Sequence, residues 1–178
     1  RQVAILPQDG GTNLLPPGEV GLLAVHGSDP GLMLGYWNRP EEQADVYRGS
    51  WFIGGDLAEM DEDGYVWFHG RADDVIKSFG YRLSPLEIES VLVTCPGVAE
   101  VAIVGLDMDE NKTLVTACVV PQEQGSVTES ALAEYAGEHL AGYKRPHQYR
   151  LVDELPRTRN GKLQRRTLLE RLLLEVDA

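Results

Sequence analysis

Two β-branched runs, residues 98–106 and 113–120, lie between segments of helical period, and this alternation limits the folds open to the chain more than any other feature. The two runs read as paired strands. Upstream, Ser84-Pro85-Leu86-Glu87 reads as a capping box with proline at the first helical position, where the N–H it lacks would be unpaired anyway. Ile88, Val91, Leu92 and Cys95 follow at helical spacing, which predicts one buried face, and Gly97 closes the helix. Downstream, Thr128 opens a second helix with Leu132, Tyr135, Ala136, His139 and Leu140 on one side. Residues 148–152 read as a third strand and residues 163–176 as a helix carrying Leu168, Leu169, Leu172 and Leu173. The order β-hairpin, α, β, β, α, β, α predicts a small α+β domain from about residue 74 onward.

The texture before Arg71 is different. Residues 18–26 read as a strand followed by a Gly/Pro turn, and residues 40–47 as a short helix with Glu41 and Glu42 in its first turn. Residues 56–60 and 65–68 read as a β-hairpin around Asp61-Glu62-Asp63-Gly64. This β-rich segment is too short for a sandwich or barrel of its own. It is expected to continue elements from sequence outside the chain, which opens on Arg1-Gln2-Val3-Ala4 without an initiator methionine.

A net charge of −12 argues against nucleic acid or an anionic membrane as the main partner. Nine of the sixteen Lys and Arg nevertheless lie between Lys144 and Arg171, a distribution that suits either a small anionic ligand or a solvated helix face. Cys95 and Cys118 share no ligand spacing with each other or with histidine, so neither a disulfide framework nor a zinc site is expected, and a cytoplasmic location is. No apolar run approaches the length of a membrane span, and there is no signal-peptide pattern, internal repeat or low-complexity segment.

Within the basic stretch, Leu155-Pro156-Arg157-Thr158-Arg159-Asn160-Gly161-Lys162 is a proline-opened turn. It reaches Asn160-Gly161, a pair in which both residues tolerate positive φ, and then presents one lysine. A lysine there is a mobile point charge with three donors, suited to a phosphate or a carboxylate. Taken alone the segment reads rather as a surface loop with a solvated lysine.

Its company sharpens that reading. Gly54-Gly55-Asp56 is followed by Gly70-Arg71-Ala72-Asp73-Asp74-Val75-Ile76-Lys77-Ser78-Phe79-Gly80-Tyr81-Arg82-Leu83-Ser84-Pro85-Leu86-Glu87-Ile88-Glu89, then by Gly142-Tyr143-Lys144-Arg145-Pro146 and the lysine turn. Together with Gly18-Glu19-Val20-Gly21 and Leu34-Gly35-Tyr36-Trp37, this series resembles the acyl-adenylate-forming superfamily from about residue 15 onward. That superfamily comprises acyl-CoA synthetases, aryl-CoA ligases, luciferase and the adenylation domains of nonribosomal peptide synthetases.

The resemblance implies a division into residues 1–72, the end of a large β-rich AMP-binding domain, and residues 73–178, a mobile C-terminal domain rotating about Asp73. It makes Asp56 the acceptor for the ATP ribose hydroxyls and Arg71 a second ribose contact, against the alternative of a turn-capping aspartate. Phe68 would lie near the adenine, or serve as a plain core aromatic. Arg82 would lie near the phosphate or CoA, with a structural ion pair as its rival role. Lys162 becomes the catalytic lysine of adenylation, stabilising charge that builds as a carboxylate attacks the α-phosphate. After rotation the loop of residues 78–82 would line a pantetheine tunnel, with Gly80, Tyr81 and Arg145 as CoA contacts.

ATP, CoA and Mg2+ are the implied cofactors, the metal bound mainly outside this chain and no metal site expected within it. A small carboxylic acid is the implied substrate, and a lysine acetyltransferase acting on Lys162 an implied partner. Gly54 stands where the family pattern has threonine, and neither the phosphate loop nor the carboxylate pocket is visible. The 178 residues alone are therefore expected to be inactive. An enzyme loading a carrier protein and a non-catalytic binding module remain as alternatives to a CoA ligase.

Overall fold

A computed structural model describes residues 3–109 and 112–176, and its internal contacts divide the chain after Asp74 into two units. The first is a five-stranded sheet with one short helix: β1 (Val3–Leu6), β2 (Gly21–His26), α1 (Pro40–Asp45), β3 (Tyr47–Arg48), β4 (Trp51–Met60) and β5 (Val66–Arg71). Every pairing is antiparallel, and β4 is the hub, bonded to β2, β3 and β5. Leu57 and Ala58 of β4, on either side of a register shift, are both buried, as are Ala4, Ile5 and Leu6 of β1 and Leu22 and Ala24 of β2. The strand expected from Gly18 begins only at Gly21, after the Gly18 N–H has bonded the Met60 carbonyl at 2.9 Å.

The β4–β5 turn is organised by Asp61. Its Oδ1 accepts from the backbone N–H of Asp63 at 3.0 Å and of Tyr65 at 2.8 Å, and its Oδ2 from Trp67 Nε1 at 3.1 Å. The Trp67 bond first, then the backbone donors, hold the Asp61 carboxyl below the ordinary carboxylate range.

The second unit comprises β6 (Ile76–Ser78), β7 (Tyr81–Leu83), α2 (Pro85–Leu92), β8 (Val98–Asp109), β9 (Lys112–Pro121), α3 (Glu129–His139), a single 3-10 turn (Gly142–Lys144), β10 (Gln148–Leu151) and α4 (Arg165–Val176). β6 and β7 form a hairpin, and β8, β9 and β10 a sheet in the order β10-β9-β8, antiparallel between β8 and β9 and parallel between β9 and β10. The two β-branched runs are covered on both faces, which is why they read as continuous apolar runs rather than as clean alternation. Ile103, Val115, Ala117 and Val119 face a core shared with Ile88 and Leu92 of α2 and Leu132 and Ala136 of α3. Ala102, Val104, Leu106 and Cys118 face the opposite way, onto Leu155 and onto Leu168 and Leu172 of α4. The result is a three-layer α+β unit.

Two local expectations need correction. Ser84 occupies the N-cap of α2, but its side chain makes no capping hydrogen bond, and Glu87 turns outward to an ion pair with Lys144 instead of reaching back. Thr128 does cap α3, its Oγ1 accepting from Ala131 N at 3.2 Å. The last helix begins at Arg165 rather than near residue 163, because the preceding residues are occupied by a closed turn. Gln164 N–H bonds the Pro156 carbonyl at 2.8 Å and Arg157 bridges Leu163.

Candidate functional site

Asp56 and Arg71 are direct partners in the β4–β5 register, so antiparallel pairing places an acid and a base from positions fifteen residues apart on neighbouring strands. Arg71 is the centre of this cluster. Its Nη1 donates to the Gly54 carbonyl at 2.6 Å and to Asp56 Oδ1 at 3.2 Å. Its Nε and Nη2 form a two-point contact with Asp73, at 2.9 and 3.3 Å. The Asp73 carboxylate foremost, with Asp56 adding to it, holds the guanidinium above its ordinary value, against the opposing effect of burial. Both Asp56 and Arg71 remain 37% exposed, so the acceptor oxygens and the guanidinium edge are open to a polar ligand. Phe68, on β5 opposite Ala58, is exposed.

In the second unit, the β6–β7 hairpin turns through Phe79 and Gly80, both at positive φ, +48° and +84°, between the paired residues Ser78 and Tyr81. This is the mirror-type two-residue turn that suits the twist of a hairpin. Tyr81 stacks on Tyr143 with ring centroids 4.6 Å apart and planes inclined by 20°, and the Lys144 ammonium lies 5.5 Å from the Tyr143 centroid. Arg82 is exposed on β7 opposite Lys77. Arg145 is engaged elsewhere: its Nε donates to the Leu140 carbonyl at 3.1 Å and its Nη2 to the Gly137 carbonyl at 2.7 Å, tying off the C-terminal end of α3.

Lys162 sits at the exposed end of the turn between β10 and α4. Gly161 N–H bonds the Thr158 carbonyl at 2.8 Å, and Thr158 N–H bonds the Lys162 carbonyl at 2.8 Å. Only Gly161 takes positive φ, +79°; Asn160 does not. The turn is thus a common β-turn completed by a left-handed glycine, not the two-residue form that Asn-Gly suggests. Lys162 N–H donates to Thr158 Oγ1 at 3.1 Å, and the Lys162 ammonium has no partner among the described residues.

The structure therefore gathers Asp56, Arg71 and Asp73 in one cluster and Gly80 and Tyr81 on one hairpin, with Lys162 alone on its turn. Sequence reading missed the partners that hold these groups: Tyr143 under Tyr81, Glu100 at Arg157, and Glu89 at Arg165. Glu89 and Arg157 stood inside the motifs themselves. Their partners lie far off in the sequence, and no local spacing signals them. Among the described residues no group of three His, Cys, Asp or Glu side chains could hold a metal ion, and no helix is long and apolar enough to cross a membrane.

Residues 87–162 match the family model of the AMP-binding enzyme C-terminal domain. The chain is 37% identical to a 3-hydroxybenzoate–CoA ligase of Aromatoleum sp. (strain CIB), covering 94% of the chain and 32% of the relative. It is 36% identical to an acetyl-coenzyme A synthetase of Bacillus subtilis (strain 168), covering 94% of the chain and 30% of the relative. Among solved structures, ATP-bound MatB from Rhodopseudomonas palustris superposes with a TM-score of 0.88 at 33% identity, over 96% of this chain and 33% of that one. Over nearly its whole length the chain is thus similar to acyl-adenylate-forming enzymes, and the curated relatives named are CoA ligases and synthetases. It spans about a third of the length of those relatives.

Proposed function

We propose that this chain is the C-terminal portion of an AMP-forming acyl-CoA synthetase. A carboxylate and ATP give an acyl-adenylate and pyrophosphate, and CoA then displaces AMP to give the thioester. The observation that carries this reading is the pairing of Asp56 with Arg71 across β4 and β5 in the first unit; in the second, Lys162 stands on a tied turn with no partner for its ammonium among the described residues. Asp56 accepts from the ribose diol, Arg71 orients it, and the Phe68 ring lies against the base. Lys162 places its charge between the carboxylate oxygen and the α-phosphate, where negative charge builds during attack. The chemistry of the second step falls to the hairpin of Gly80, Tyr81 and Arg82, which reaches the thiol arm once the second unit has turned about Asp73. Arg145 contributes less to CoA than its sequence position suggests, since two of its donors are committed to α3.

Magnesium accompanies ATP in this chemistry, but the described residues offer no cluster of ligands for it, and no step here runs through it. A cytoplasmic site of action fits Cys95 and Cys118, which are buried and not joined in a disulfide. Acetylation of Lys162 would abolish its charge and so switch adenylation off.

The test is pyrophosphate release and CoA consumption by the full polypeptide across a panel of carboxylic acids. Thioester formation with free CoA is expected for at least one acid. Transfer only to a carrier protein would move the assignment to a carrier-loading enzyme, and no adenylation of any acid would overturn it. The 178 residues alone are expected to catalyse no ATP–pyrophosphate exchange, because residues that would cradle the triphosphate are not among them.

A further inference from the structure

The peptide unit that enters Lys162 is held at both ends. On one side, Arg157 Nη1 donates to the Gly161 carbonyl at 2.8 Å. On the other, the Lys162 N–H donates to Thr158 Oγ1 at 3.1 Å, and the Lys162 carbonyl accepts from Thr158 N–H at 2.8 Å. The backbone frame of Lys162 is therefore fixed, and only its side-chain torsions remain free. Arg157 does not act alone, since its Nη2 is paired with the Glu100 carboxylate on β8. A chain of contacts thus runs from the central sheet through Glu100 and Arg157 to Gly161 and the lysine.

This pair is poorly placed to stabilise the fold. Arg157 is 43% exposed and Glu100 44%, and ion pairs so open to water contribute little to stability. The turn is already closed by its backbone bonds, by the Arg157–Leu163 bridge, and by Leu155 and Leu163 packed against the core under α4. What Arg157 adds is control over the orientation of one peptide plane. A guanidinium can do this because its fork spans a carboxylate and a carbonyl at once, which an ammonium does not.

We infer that Arg157, oriented by Glu100, is a positioning residue for Lys162. The inference rests on the adenylation role proposed for Lys162 above. Arg157 touches neither substrate nor nucleotide on this view; it sets where the lysine side chain starts. Misplacement of a catalytic group by about 1 Å costs on the order of 100-fold in rate. Loss of the Arg157 contact is therefore expected to lower the turnover of the adenylation half-reaction by about 10- to 100-fold, with little change in KM for ATP.

The experiment uses the full polypeptide with Arg157→Ala, Arg157→Lys, Glu100→Ala, the Arg157→Ala/Glu100→Ala double variant, and Lys162→Ala as reference. Adenylation is read by pyrophosphate release, thioester formation from a supplied acyl-adenylate separately, and folding by the thermal midpoint. The expected pattern is a fall in adenylation turnover for Arg157→Ala with an unmoved midpoint and an intact thioester step. Arg157→Lys should restore only part of it, Glu100→Ala should fall between, and the double variant should be no worse than Arg157→Ala because the residues act in series. Adenylation at the parent rate in Arg157→Ala, beside a large loss in Lys162→Ala, would overturn this inference and leave the proposed function standing. Equal loss in both half-reactions, or loss accompanied by a lowered midpoint, would overturn it in favour of a structural role. Unimpaired adenylation in Lys162→Ala would overturn the lysine assignment and this inference together.

Discussion

Glu89 of α2 and Arg165 at the start of α4 form a two-point carboxylate–guanidinium pair, Nη1 to Oε1 at 2.6 Å and Nη2 to Oε2 at 3.0 Å, across 76 positions of sequence. Both ends are tied to β8 as well: Glu89 Oε1 accepts from Ile103 N at 2.7 Å, and Arg165 Nη1 donates to the Ile103 carbonyl at 3.1 Å. The Glu89 and Arg165 side chains are only 12% and 21% exposed, so this pair links both helical layers to the sheet from inside the unit. It also fixes the first residue of α4, three positions after Lys162.

Removing one partner is therefore costly. Arg165→Ala leaves the Glu89 carboxylate buried and uncompensated and is expected to destabilise the fold by about 3 kcal/mol. An apolar pair of similar volume, Glu89→Leu with Arg165→Met, should lose much less, because no charge is then stranded. Urea unfolding of the two variants checks the ordering. A double variant less stable than Arg165→Ala would show that the pair itself, rather than the avoidance of a lone charge, holds α4.

The β6–β7 turn makes the opposite kind of prediction. Phe79 sits at φ +48°, a region costly for a residue with a Cβ, and the residue is 56% exposed. Its visible compensation is a tilted contact with His147, ring centroids 5.3 Å apart. Phe79→Asn, which suits this turn type, is expected to stabilise the fold by about 1 kcal/mol. A drop in the denaturation midpoint would mean that the His147 contact outweighs the strain. If Phe79 serves the thiol-arm step, the stabilised variant should lose thioester formation while keeping adenylation.

These two features mark where sequence reading stops. The apolar period of α2 and the β-branched runs of β8 and β9 were legible, because burial on one face or two writes itself into spacing. The turn before Lys162 was legible as a turn because Asn-Gly favours one, although only Gly161 takes positive φ. The Glu89–Arg165 pair was not, since only the packed sheet brings the two together. Ser84 holds the N-cap position of α2 without a side-chain capping bond, and Glu87, the other half of the expected box, pairs with Lys144 outside its own helix. Arg145 looked like a ligand contact, yet α3 claims two of its donors, a tertiary demand that no local pattern carries. Phe79 is an unfavourable residue for its turn, yet the hairpin expected ahead of α2 forms around it.

The alkaline limb of stability has a definite sign. Burial raises the Cys95 thiol above its usual 9.0 and, as the leading cause, the Tyr149 phenol above its usual 10.0; the Glu87 hydrogen bond leads in raising Lys144 above its usual 10.5. A raised value in the folded state means that the folded chain binds the proton more tightly than the unfolded chain does. The stabilisation is then fully present below the ordinary value and is lost as pH climbs through the raised one. All three groups act in the same direction, so the denaturation midpoint should hold steady at neutral pH and fall from 9.0 upward. Tyr149→Phe should flatten the portion above pH 10.0 and leave the onset unchanged. A midpoint level to about pH 11 would contradict the sign.

The last prediction concerns a residue with no functional group. Gly55 lies between Gly54 and Asp56 at φ +80°, and a Cβ placed there would come within 2.9 Å of Arg71 Nη2 and 3.3 Å of its Cζ. The backbone around it cannot yield without breaking the Ala72 N–H bond to the Gly55 carbonyl, 2.9 Å long, so the mobile guanidinium must yield instead. Displacing it loosens the contacts to Gly54, Asp56 and Asp73 together. Gly55→Ala is therefore expected to cost about 1 kcal/mol in stability from the left-handed backbone. Its larger effect should fall on nucleotide binding, raising KM for ATP by about 10-fold as one charge-assisted contact is lost. Arg71→Ala should raise KM at least as far, and the Gly55→Ala/Arg71→Ala double variant no further, because in its absence the added methyl has nothing to displace. An additive double variant would locate the effect of Gly55→Ala in the strand itself.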